Sequence, residues 1–164
     1  RRDRHGRLLN VRRGVRIGVD VGSVRVGVAG CDPDGMVATP VETVRRDPGG
    51  ADLSRIAALT ADRGAIEVVV GLPRTLSGRE GQAARAVRAY ADSLAAHVAP
   101  CLVRLVDERL STVTATRGMQ AGGVSARKAR GTVDQAAAVV ILQAALDAER
   151  GSGRPPGEIV QVGR

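Results

Sequence analysis

Between residues 15 and 150, short apolar runs and helix-spaced segments follow one another in an order that few folds accept. VRIGVD is an apolar run ending in an acid, Gly22 and Ser23 form a turn, and VRVGVAG runs back, so residues 15–30 read as a hairpin. CDPDG is a second turn, and MVATPVETV a third strand in which Pro40 favours a sheet edge. From Ala51 the period changes: Leu53, Ile56, Ala57 and Leu59 fall at helical spacing, and Gly64 is a fitting stop. IEVVVG reads as a buried strand, LPRTLSGREG as a loop, and residues 82–98 as an Ala-rich helix broken by Pro100. CLVRLV is another buried strand, ending at Asp107 and Glu108. Ser111 or Thr112 caps a short helix to about Gly122. A last helix from Val133 to about Arg150 puts Val133, Ala136, Ala137, Val140, Ile141, Ala144 and Ala145 on one stripe. Strands that alternate with helices pair in parallel, because the crossovers cover the sheet faces. The expected fold is therefore α/β, a mixed five-stranded sheet of three antiparallel strands then two parallel ones, flanked by helices.

A chain of 164 residues suits one domain. Residues 1–14 read as a flexible basic arm, 15–150 as the folded body and 151–164, rich in Gly and Pro, as a loose tail. The arm holds six Arg against Asp3, which is most of the formal charge of +8, so the body is only mildly basic. Tyr90 is the only aromatic residue. The core must therefore be aliphatic, and a nucleic acid would be gripped through phosphates and shape, which excludes the ring-stacking mode of single-strand binders. No apolar run is long enough to span a membrane, and the Arg-rich start lacks the apolar stretch of a signal peptide, so a cytoplasmic location is expected. Cys31 and Cys101 stand far apart and in no metal-ligand spacing, as in a reduced protein with small buried thiols.

Three acids border apolar segments at element ends: Asp20 closes the first strand, Glu108 follows the last, and Asp134 opens the final helix. Carboxyl ends of parallel strands share one sheet edge, where sites form in open α/β sheets. Parallel first and last strands would bring Asp20 and Glu108 to that edge, with Asp134 at a helix N-terminus whose dipole favours its ionised form. Carboxylates brought so close repel unless a cation neutralises them, and all-oxygen donors select a hard ion such as Mg²⁺ or Mn²⁺. Such ions activate a water and steady the leaving oxygen of a displacement at phosphorus. Each acid also has a plain structural reading: a strand-ending turn for Asp20, an ion pair with Arg109 for Glu108, a first-turn acid for Asp134.

RIGVDVGSVRVGVA, VVVGLPRTLSG, VDERLST and VDQAAAVVILQ, in this order over residues 15 to about 148, resemble the YqgF (RuvX) family, assigned to Holliday-junction resolution and to maturation of the 5′ end of pre-16S ribosomal RNA. The resemblance implies an RNase H-like fold and an endonuclease whose catalytic and metal-binding residues are Asp20, Glu108 and Asp134. Asp107 is an alternative ligand beside Glu108. The partner implied is nucleic acid, pre-ribosomal RNA or branched DNA, taken by a monomer or a homodimer. Among the remaining motif residues, Gly22 and Ser23 let backbone approach a phosphate, and Arg25 follows on the second strand. Arg74, Thr75, Ser77 and Arg79 offer donors around Gly78. Arg109 either holds the scissile phosphate, orients Glu108 or makes a surface ion pair of little worth, and Arg127, Lys128 and Arg130 form either a second phosphate contact or a solvated turn. In such a sheet two strands separate Cys31 from Cys101, too far for an internal disulfide.

Two rivals remain at this stage. VRIGVDVGS and its returning strand also resemble the first phosphate motif of actin-like ATPases and sugar kinases, but those folds enclose the nucleotide with a second related domain that this chain lacks. The other is a nucleic-acid-binding ribosome-assembly factor whose acids are structural, which would bind in a salt-sensitive way without cutting.

Overall fold

The computed structural model describes residues 12–75, 77–110 and 133–162. Strands β1 (Arg16–Val21), β2 (Arg25–Cys31) and β3 (Ala38–Arg45) lead to helix α1 (Ala51–Asp62), strand β4 (Glu67–Leu72), helix α2 (Gln82–Val98), strand β5 (Leu102–Asp107), helix α3 (Val133–Ser152) and a two-residue strand β6 (Glu158–Ile159). The sheet order is β3-β2-β1-β4-β5-β6. β1, β2 and β3 form an antiparallel meander, while β1, β4 and β5 run parallel. Pro40 lies in edge strand β3, where its missing N–H costs no ladder bond.

Alternation along the strands decides which helix covers which face. Ile17, Val19, Val26, Val28, Val68, Val70, Val103 and Leu105 pack on one face against Ile56 and Leu59 of α1 and Val87, Ala91 and Leu94 of α2. Ala29, Val69 and Val106 point to the other face and meet Ala138, Ile141, Leu142, Ala145 and Leu146 of α3. The expected stripe of α3 is thus rotated: Val133 and Ala136 are exposed, and Leu142 and Leu146 take the core positions. The reason is the floor beneath the helix. A Cβ on Gly18 would stand 2.7 Å from Leu142 Cβ, and one on Gly71 2.6 Å from Ile141 Cδ1, so the two glycines form a groove that only this side of α3 fits.

Contacts extend to residues on either side of 15–150. At the start, Arg12 reaches two buried carboxylates, Glu67 at 3.0 Å and Glu149 at 2.6 Å, and the Gly14 N–H donates to Pro33 O. At the end, β6 pairs antiparallel with β5, and Val160 is buried with its N–H on Val103 O, so the sheet has six strands rather than five. Neither the Arg12 ion pairs nor β6 is visible in a local window, because those partners are more than fifty residues away. Arg16 also meets Glu149 at 2.6 Å and Arg104 meets Glu67 at 3.0 Å. These five charges form one network where β1, β4 and β5 begin, at the opposite end of the strands from Asp20. Cys31 and Cys101 are free thiols, on β2 and just before β5, with β1 and β4 between them. No helix among the described residues is long and apolar enough to cross a membrane.

Candidate nuclease site

Asp20 is the next-to-last residue of β1 and pairs across the ladder with Gly27 of β2. Since Ile17 and Val19 face α1 and α2, alternation turns Asp20 toward the α3 face. A Cβ on Gly27 would stand 1.8 Å from the Asp134 carbonyl oxygen. The glycine is therefore what lets the first turn of α3 lie on the sheet beside Asp20. Sequence reasoning passed over Gly27, although a glycine inside a buried strand is itself a sign of close backbone approach.

The third acid arrives through the parallel ladder. β4 and β5 pair up to Leu72↔Asp107, and the Glu108 N–H continues the pattern onto Leu72 O at 3.1 Å. Burial, then the charges of Asp134 and Glu108, push the Asp20 carboxyl up to about 6. The three acids share one electrostatic environment at one sheet edge. Asp134 accepts a hydrogen bond from Arg25 Nε at 3.1 Å. Asp107 accepts from the Arg109 side chain at 2.6–3.0 Å and from its backbone N–H, and the guanidinium holds it below the usual carboxylate range. Arg109 was expected to serve a phosphate or Glu108; here it is on Asp107.

The donor set fits a hard divalent ion in its chemistry, since a half-buried carboxylate raised by two others is relieved by a cation. Among the described residues no three acid, histidine or cysteine side chains are gathered at chelating distance. Arg25 supplies the positive charge to Asp134.

The loop after β4 is a self-bonded turn. The Thr75 N–H donates to Arg79 O, the Gly78 N–H to Thr75 O and the Arg79 N–H to Thr75 Oγ1, which also lies 3.0 Å from Ser77 Oγ. Gly78 takes φ +84°, where a side chain would be strained, and lies against the Arg109 guanidinium. Arg74 donates to Gly78 O and stands 3.7 Å from Glu80. Thr75, Ser77 and Arg74 thus hold the loop, and Arg79 is exposed beside it. Ser23 is exposed in the β1–β2 turn, which the Gly22 N–H closes onto Arg25 O. Arg127, Lys128, Arg130 and the short helix expected before Gly122 lie outside the described residues.

Residues 14–148 match the family described as RuvX, Holliday junction resolvase. The chain belongs to the RuvX family. That makes it an endonuclease of RNase H-like fold. A Streptomyces coelicolor protein provisionally named pre-16S rRNA nuclease is 58% identical over 93% of this chain and 91% of its own. A Nocardioides protein with the same provisional name is 59% identical over 92% of this chain and 99% of its own. Among solved structures, the T. thermophilus RuvC in complex with Holliday junction substrate superposes with a TM-score of 0.57 at 18% identity, over 87% of this chain and 99% of that one. That likeness is one of fold. The RuvX match over residues 14–148 replaces the actin-like reading.

Proposed function

We propose that this RuvX-family endonuclease hydrolyses phosphodiester bonds in structured nucleic acid with Mg²⁺ or Mn²⁺ held by Asp20, Glu108 and Asp134, within a nuclease unit of residues 15–150. The observation that carries the reading is the meeting of three elements at one sheet edge: the Asp134 backbone lies against Gly27, the ladder partner of Asp20, and Glu108 extends the β4–β5 ladder onto Leu72 O. A divalent ion held there would supply a hydroxide from water and stabilise the leaving oxygen. The chain's own residues do the rest. Asp20, in the ladder, would be the central ligand, with Glu108 and Asp134 offered by separate elements. Arg25 holds Asp134 and would be free to meet a phosphate if an ion took that carboxylate. Asp107 keeps Arg109 beside the Gly78 loop, where Arg79 and Ser23 provide further phosphate contacts. Arg127, Lys128 and Arg130 add a second contact.

The names of the relatives support pre-16S ribosomal RNA as substrate, and the proposal is that its 5′ end is cut, in the cytoplasm; branched DNA offers the same phosphodiester chemistry. Symmetric cutting of a four-way junction would require a homodimer, whereas trimming an RNA end requires only a monomer. Cleavage by the wild type and by Asp20→Asn, on a labelled four-way DNA junction and on a 5′-extended 16S RNA precursor, with Mg²⁺, Mn²⁺ or EDTA, tests the reading. The wild type is expected to cut with metal only, and Asp20→Asn not at all while still binding. Binding without cutting in every metal would make the protein an assembly factor instead.

A further inference from the structure

Two arginines outside every motif, Arg45 and Arg46, sit where β3 ends on the same edge as the acids. Arg45 is directly opposite Arg25 in the β2–β3 ladder, so two guanidinium side chains stand on one face as cross-strand neighbours. Like charges in that position repel and weaken a sheet. Arg25 has Asp134; among the described residues neither Arg45 nor Arg46 pairs with a carboxylate. The adjacent Asp47 does not serve them, since its carboxylate accepts from the Ala51 N–H at the start of α1. Arg46, one residue on, turns to the opposite face. Its guanidinium lies 4.9 Å over the Tyr90 ring and donates through Nη1 to Gly22 O, which fixes its plane and leaves its other donors for an anion.

Beyond these two side chains lies an open trough of about 700 Å³ between the β1–β2 turn and the small side chains Ala86, Ala89 and Ser93 of α2. Ser23, two residues after Val21 at the end of β1, forms one wall of it, so the trough starts at the same end of the sheet as the acids, on the face opposite to theirs. β3 is two strands from β1, about 10 Å at the usual strand spacing.

We propose that Arg45 and Arg46 bind the phosphodiester backbone of the nucleic acid next to the cleaved bond and lead it from the acid edge over the hairpin end into this trough. The inference rests on the nuclease reading. An anion between Arg25 and Arg45 relieves the repulsion that the ladder imposes, and a fixed Arg46 receives the next phosphate without further ordering.

Binding of a fluorescent four-way DNA junction and of a 5′-extended 16S RNA precursor, measured in EDTA by anisotropy from 50 to 200 mM salt, tests this. The slope of log affinity against log salt is expected to fall by about 1 for Arg45→Gln and by about 2 for the double variant with Arg46→Gln, the double variant binding roughly tenfold more weakly at low salt. Arg45→Lys keeps the slope. Thermal melting shows whether each variant is folded; where the double variant is not, exposed Arg45 alone decides. An unchanged slope in folded Arg45→Gln, with a wild type that binds and cuts with metal, overturns the proposal and leaves the nuclease reading standing. A wild type that binds neither probe overturns both.

Discussion

Asp20, the proposed central ligand, works against the stability of its own fold. In the metal-free protein its carboxyl keeps a proton up to about pH 6, whereas an exposed aspartate releases it near the ordinary value of 3.8. A raised native pKa means that the stability linked to this group is complete below about pH 4 and is lost as pH rises through 6. A shift of that size corresponds to about 3 kcal/mol, reduced to about 1–2 kcal/mol because the side chain is only partly buried. Asp20→Asn is therefore expected to stabilise the protein by about 1–2 kcal/mol at pH 7.5 in EDTA, with no gain at pH 4. Urea unfolding at the two pH values measures it. A variant less stable than wild type at pH 7.5 would show that the acids do not repel in the folded chain. Asp20 was legible in the sequence because a charge that ends a buried strand is out of place there. Arg109 was legible as a residue but not in its partner, since the geometry of a turn decides that it reaches back to Asp107 rather than to its neighbour.

At the scale of elements, the site depends on how closely α3 lies on the sheet. Gly18, Gly27 and Gly71 leave no room for a methyl group, and at Gly27 the obstacle is the backbone of Asp134 itself. Gly27→Ala is expected to push the start of α3 outward, destabilising the fold by about 1–3 kcal/mol and abolishing metal-dependent cleavage. Gly151, in the same helix with nothing near its missing Cβ, is the control: Gly151→Ala is expected to stabilise by about 0.5–1 kcal/mol and to keep activity. Melting curves and the cleavage assay together decide, and a fully active Gly27→Ala protein would contradict the role assigned to this glycine. Apart from β6, the existence and order of the described elements followed from period and turn residues. The face that α3 buries did not. Its apolar residues run around more than one side, and the choice between a Val140 side and a Leu142 side is made by the glycine groove beneath.

Over the whole molecule, the two ends of the strands carry opposite kinds of electrostatics. At one end burial and the neighbouring charges of Asp134 and Glu108 raise the Asp20 carboxyl. At the other, Glu67 and Glu149 are matched by Arg12, Arg16 and Arg104 out of water. Removing one partner of a buried network strands the rest, which typically costs about 3–5 kcal/mol. Glu149→Ala is accordingly expected to destabilise by about that amount while the remaining folded protein still cuts, because the network lies far from the acids. Urea unfolding with activity per folded molecule checks it; a loss of activity without loss of stability would refute the separation of the two ends.

The sequence by itself determined the α/β class, the meander followed by parallel strands, and the acids at element ends, because these follow from side-chain period, turn residues and charges that interrupt apolar runs. Only the tertiary structure decided that Arg12 meets Glu67 and Glu149, that a sixth strand closes the sheet edge, that Gly27 seats Asp134 beside Asp20, and that Arg45 faces Arg25. Each of these joins residues remote in the chain, and their energies arise only when burial and strand register bring the partners within a few ångströms.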